Sequence, residues 1–171
     1  PWRQNFNLST SLQPWSSINT ISNTNTWRII SIQSENQNNV AVLDSEKANE
    51  SNWLGSPVFD LSISRQASVF YSLAASNQAE GTVFKVMASD DGGVTYSELD
   101  RKVGSEINTI ESGVVNPNNR SEFRREFVNL SDFAGQGKNK IRIAFVVENG
   151  NQSNDPVYLD DIELYLSSNP E

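Results

Sequence analysis

The feature that most constrains this chain is a period of two. Ile141, Ile143, Phe145 and Val147 share one parity against Lys140 and Arg142. Successive strand residues point to opposite faces, so this stretch reads as a strand with one buried face. The same alternation recurs at Ala67, Val69, Tyr71, Leu73 and Ala75 against Ser68, Ser72 and Ser76. Phe70 falls out of step there, which implies partial cover on the other side. Phe84, Val86 and Ala88 alternate with Lys85 and Ser89, and Trp27 and Ile29 with Arg28 and Ile30. Residues 40–43 are a short apolar run ended by Asp44. Across 123–130, Phe123 and Phe127 take one parity, Val128 and Leu130 the other. Residues 157–166 read as the last strand, and 105–113 lack a helical amphipathic pattern. Turn clusters at Ser56-Pro57, Asp90-Asp91-Gly92-Gly93, Asn116-Pro117-Asn118-Asn119, Gly135-Gln136-Gly137 and Asn149-Gly150-Asn151 punctuate these strands. A turn roughly every ten to fifteen residues predicts one all-β domain over 1–171, an antiparallel β-sandwich of jelly-roll type.

Composition then removes whole chemistries. The 171 residues include no cysteine and no histidine. That excludes zinc fingers, haem ligation, a disulfide framework and any Cys–His or Ser–His–Asp nucleophile. Thirteen basic against 21 acidic residues leave a net charge of −8. A chain that acidic, with no basic run, is not built to bind nucleic acid. No apolar run approaches the ~20 residues of a membrane span, so no membrane insertion is expected. The chain starts at Pro1 and reads as a processed or excised fragment.

Three motifs carry chemistry. Ser89-Asp90-Asp91-Gly92-Gly93-Val94-Thr95-Tyr96 fits the Asp-box pattern S-x-D-x-G-x-T-W, with Tyr96 in the aromatic place. Such a segment is a hairpin: Asp91 accepts backbone N–H bonds within the turn, Gly93 supplies positive φ, and the aromatic packs under the loop. It occurs once, which excludes a propeller built from repeats of it. In Leu159-Asp160-Asp161-Ile162-Glu163-Leu164, strand parity puts Asp160 on the core side with Ile162 and Leu164. A buried carboxylate needs a partner: a hard cation such as Ca²⁺, an ion pair with Lys140 or Arg142, or a hydrogen-bonded turn. Among the aromatics, Trp27 and Trp53 read as core or under-loop packing. Trp2, Tyr96 and Tyr158 are the candidate ligand-binding rings. Asp44, Glu46, Glu80, Glu148 and Asp155 offer acids, but sequence spacing does not make a glycosidase pair of them.

The order of several pieces carries a resemblance over almost the whole chain. The pieces are Phe6-Asn7, Trp15, Trp27, Trp53-Leu54-Gly55-Ser56-Pro57-Val58-Phe59-Asp60, Phe84 through Tyr96, Phe127-Val128-Asn129-Leu130-Ser131-Asp132-Phe133, and Val157 through Ile162. Together they resemble the choice-of-anchor J and cleaved-adhesin jelly-roll modules of secreted bacterial proteins, similar to gingipain haemagglutinin/adhesin domains and, more distantly, to MAM domains. The resemblance implies a non-catalytic module with a structural calcium held by Asn7, by the neighbourhood of 40–44 including Asp44, and by Asp160 or Asp161. Asn7 stands where the family carries Glu or Asp, which lowers the charge available to the cation. It also implies an extracellular or cell-surface location, glycan as ligand, and other domains of the same polypeptide as neighbours. The alternatives are a protein-binding adhesin or interdomain scaffold and, third, a hydrolase. An exposed apolar patch favours a protein partner. A shallow groove with a stacked aromatic favours sugar.

Overall fold

In the computed structural model, described for residues 2–4, 6, 11–20, 26–32, 38–44, 49–150 and 154–167, the alternating segments are strands. They are β1 (Trp2–Gln4), β2 (Ser16–Asn19), β3 (Arg28–Ile32), β4 (Asn38–Leu43), β5 (Ser51–Gly55), β6 (Gln66–Ala75), β7 (Val83–Ser89), β8 (Ser97–Val103), β9 (Arg124–Asn129), β10 (Arg142–Glu148) and β11 (Val157–Ser167). One sheet runs β3-β4-β11-β6-β9, with β1 paired to the later part of β11; the other runs β2-β5-β10-β7-β8. Every pairing is antiparallel, as the alternation predicts. This is the expected β-sandwich.

The inward parities meet between the sheets. Val69, Tyr71 and Leu73 of β6 with Leu159, Ile162 and Leu164 of β11 face Phe84 and Val86 of β7 and Ile143, Phe145 and Val147 of β10. Tyr71 packs edge-on to Phe145 at 5.0 Å between ring centroids. Each such buried side chain contributes about 1.5–3 kcal/mol of transfer free energy.

A second, smaller core lies on the outer face of the first sheet. Val40, Val42, Ala74 and Tyr158 pack there with Val115, and Ile110 and Phe123 close over them. The connection from β8 to β9 therefore covers that face, pinned by Thr109 N–H to Ala75 O (2.8 Å) and Asn77 Nδ2 to Gly113 O (2.9 Å). This explains why 40–43 reads as a continuous apolar run. Ala41 and Leu43 serve the main core and Val40 and Val42 the second, so both faces of β4 are buried.

One register break matters. Along β11, Asp160 pairs with Ser72 and Glu163 with Phe70, so Asp161 and Ile162 together oppose Tyr71. Asp161 takes φ 47° to make this bulge. The bulge switches parity. Asp160 is buried, but it lies on the outer face in line with Tyr158, not on the core side where uninterrupted alternation puts it.

Candidate functional site

The Asp-box turn is the best-defined loop of the second sheet. Asp91 Oδ1 accepts from Ser89 Oγ (2.7 Å), Val94 N (2.9 Å) and Thr95 N (3.0 Å); its Oδ2 accepts from Thr95 Oγ1 (2.7 Å). The Thr95 and Ser89 hydroxyls and the turn's N–H groups hold this carboxyl well below the usual carboxylate range. Gly92 and Gly93 take φ 83° and 99°, as the motif requires. A side chain at Gly93 would press on Arg142 Cδ and the Tyr96 hydroxyl, each 3.0 Å from its Cβ position. The turn thus lies directly on Arg142 and Tyr96.

Beside it an open cleft of about 260 Å³ is lined by Ser16, Ile18, Thr20, Trp53, Gly55, Gly92, Gly93, Tyr96 and Arg142. Leu54 of β5 enters the core, so Trp53 and Gly55 face out. Gly55 has no side chain and its β10 neighbour is Ala144, which leaves the floor low between Trp53 and the turn. Trp53 and Tyr96 meet at a corner, 5.2 Å between centroids and 65° between planes. The indole N–H of Trp53 donates to Ser51 Oγ at 3.0 Å, which fixes the ring. Arg142 Nη1 donates to Ser56 O at 3.2 Å. Among the described residues no carboxylate lines the cleft.

Sequence reasoning assigned Tyr96 to ligand contact, read Trp53 as core or under-loop packing, and overlooked Arg142 as a cleft residue. The signal for Trp53 was present: it shares parity with Ser51 and Gly55, opposite the apolar Leu54. Trp2 and Tyr158 fall elsewhere. Trp2 packs edge-on to Phe59 at 5.0 Å and lies 6.0 Å from Trp15, against the main core. Tyr158 is 8% exposed within the second core. Neither presents an open ring face.

Of the expected calcium ligands, the described carboxylates Asp44 and Asp160 lie apart. Asn7 lies outside the described residues. Asp44 Oδ2 accepts from Arg28 Nε (2.8 Å) and Nη2 (2.5 Å). Leu43 pairs with Val157, so Asp44 lies beside 156 and Asp160 is roughly 13 Å farther along β11 at ~3.3 Å per residue. Two ligands of one Ca²⁺ must lie within about 5 Å of each other. Asp160 and Asp161 do adjoin, but around a guanidinium: Arg120 Nη1 donates to Asp160 Oδ2 at 2.8 Å and Nη2 to Asp161 Oδ2 at 2.5 Å. Asp160 Oδ1 also accepts from Asp161 N at 2.8 Å. Among the described residues no three acids cluster. Asp44 and Asp160 therefore do not meet at one point. The partner of Asp160 is Arg120, from the β8–β9 connection, not Lys140 or Arg142. Burial, then the Asp161 charge, pushes the Asp160 carboxyl up to about 7, against the opposing pull of the Asp161 N–H and Arg120.

A second feature lies on the outer face of the first sheet. Phe70 stands 5.1 Å from Phe127 and 5.6 Å from Tyr165, and Phe127 is 55% exposed. Arg125 lies over Phe70 and pairs with Glu163 at 3.1 Å. Phe70's cover on the second side is thus aromatic and partly open.

No protein-family model matches the chain, and no curated protein sequence matches it. Solved structures do match. The K1 cleaved adhesin domain of Lys-gingipain from Porphyromonas gingivalis W83 is similar with a TM-score of 0.68 at 16% identity, covering 99% of this chain and 98% of that one. TmCBM61, in complex with β-1,4-galactotriose, is similar with a TM-score of 0.59 at 13% identity, covering 96% and 95%. CBM27-1 of Caldicellulosiruptor saccharolyticus, in complex with mannohexaose, gives 0.61 at 14%, covering 94% of each chain. At such identities the likeness is one of fold: this chain shares its sandwich with adhesin domains and carbohydrate-binding modules.

Proposed function

We propose that the chain is a non-catalytic, extracellular binding module that holds a short stretch of glycan in the Trp53–Tyr96 cleft, as one domain of a larger protein. The corner of two aromatic rings over a low floor, with Ser16, Thr20 and Arg142 at its margin, carries the reading. The apolar face of a sugar ring stacks on one aromatic while its hydroxyls meet the polar rim, the usual division of labour in a small-ligand site. At about 260 Å³ the cleft is below the ~300–1,000 Å³ of drug-sized pockets, which suits a short stretch of sugar rather than a long chain. Two of the similar structures are sugar complexes.

Affinity electrophoresis and calorimetry against a panel of plant, algal and bacterial polysaccharides test this. Trp53→Ala is expected to weaken the retained glycan at least roughly tenfold with an unchanged melting midpoint, as its ring faces the cleft and not the core. Gly55→Leu fills the floor and is expected to abolish binding. Its Cβ meets only Ser16 O, at 3.9 Å, so the strand accommodates it. Binding untouched by both changes would sink the cleft.

The Phe70–Phe127–Tyr165 patch supports a second reading, a protein partner on the opposite face. A partner lost in Phe127→Ser but kept in Trp53→Ala would carry it.

A further inference from the structure

Arg142 gives the cleft a polarity that its aromatic corner alone does not. It is the first residue of β10, paired in register with Ser89 at the foot of the Asp-box turn. Its stem is wedged under the Gly92–Gly93 turn, with Cδ 3.0 Å from the Gly93 Cβ position and Nη1 tied to Ser56 O. The turn above is itself locked by the bonds to Asp91. A guanidinium held on both sides surrenders little rotamer freedom when a ligand arrives.

The charge is also unspent. Eight other described cations (Arg28, Lys85, Arg101, Lys102, Arg120, Arg124, Arg125 and Lys138) pair with carboxylates. Among the described residues Arg142 has one backbone carbonyl partner and no carboxylate within ion-pair reach, and its Nε finds no acceptor. Asp91 is the acid whose charge acts on Tyr96, and both its oxygens are already taken by Ser89, Val94 and Thr95. The cleft therefore holds one fixed positive charge with no negative charge in its lining, on a protein of net charge −8.

Resting on the glycan reading, we infer that the cleft selects acidic sugars, with Arg142 receiving an anionic substituent of the ring, carboxylate or sulfate, while the ring packs in the Trp53–Tyr96 corner. Both groups present two oxygens to a planar fork of N–H donors, which is why arginine suits them. A neutral sugar can use the same aromatic corner but leaves the guanidinium without its counter-charge. An overall acidic surface repels polyanions at long range, so the selection acts at contact and not through steering.

Calorimetry with three oligosaccharides of equal length tests this: an oligogalacturonide for the carboxylate, a sulfated galactan fragment for the sulfate, and a neutral galacto-oligosaccharide. At least one acidic probe is expected to bind roughly tenfold or more tightly than the neutral one, a charge-assisted contact's worth, and the two acidic arms show which anion fits. That advantage is expected to shrink at high salt. Arg142→Gln is expected to bring the acidic and neutral affinities level, whatever it does to both, and Arg142→Lys to restore only part of the difference. The salt series on the unaltered protein keeps the test independent of how the variants fold. Neutral and acidic probes binding alike overturns the acidic preference and leaves the glycan reading standing. No binding by any of the three, and none across the wider panel, overturns both.

Discussion

Asp160 is a carboxylate taken out of water with only a half-exposed guanidinium to answer its charge. Its raised pKa means that the folded chain holds a proton there over a range in which the unfolded chain, titrating near 3.8, has lost it. Folding therefore binds protons between about pH 4 and 7, and this group's contribution is full below about 4 and lost as pH rises through 7. Asp160→Asn removes the titration. Its stability relative to the unaltered protein is expected to rise between pH 4 and 8 by on the order of 1–3 kcal/mol, read from urea melts at several pH values. A difference independent of pH would show that Asp160 stays ionised throughout. The burial of this residue was legible from its neighbours Leu159 and Ile162, but the face was not. A bulge inserts one residue and inverts every parity after it, and Asp161 offers no glycine to announce the positive φ. Arg120 was equally hidden, because a partner 40 positions earlier in the chain leaves no mark in local spacing.

At the scale of the element, the Asp-box turn acts as a lid support. Asp91 is not itself part of the cleft lining, yet its bonds hold the turn whose two glycines lie over Arg142. Asp91→Ala is expected to speed hydrogen exchange at the Val94 and Thr95 amides by roughly tenfold or more, with the amides of β7 and β10 still protected. Sugar affinity is expected to fall with it, although no contact to the ligand has been removed. Unchanged exchange at both amides would mean that the backbone alone holds the turn. This hairpin was readable, since the bonds of Ser89, Asp91 and Thr95 that shape the turn join residues within four positions of each other. The strands were readable for a similar reason, with alternation recording the buried face. The cleft was not. It is assembled from β2, β5, the Asp-box turn and β10, which are remote in sequence, and Trp53 looked like core until its neighbours across the sheet were known.

For the whole molecule, the open question of charge is whether a divalent cation helps to hold the sandwich. With Arg120 between Asp160 and Asp161, and Arg28 on Asp44, these acids already have their counter-charges. A chelator is expected to leave the melting midpoint unchanged, since only an ion bound by the native state shifts it. A clear fall, reversed by added calcium, would show that a cation displaces the guanidinium. The sandwich also sets how the molecule bears load. Trp2 of β1 pairs with Leu164 near the far end of β11, so the outer ends of these two strands leave the first sheet side by side. Tension applied through Trp2 and Ser167 opens that ladder one hydrogen bond at a time, as a zip, instead of loading all of its bonds together in shear. Under a pull along the chain, β1 is the part that yields first, and the Trp53–Tyr96 cleft on the opposite sheet is spared.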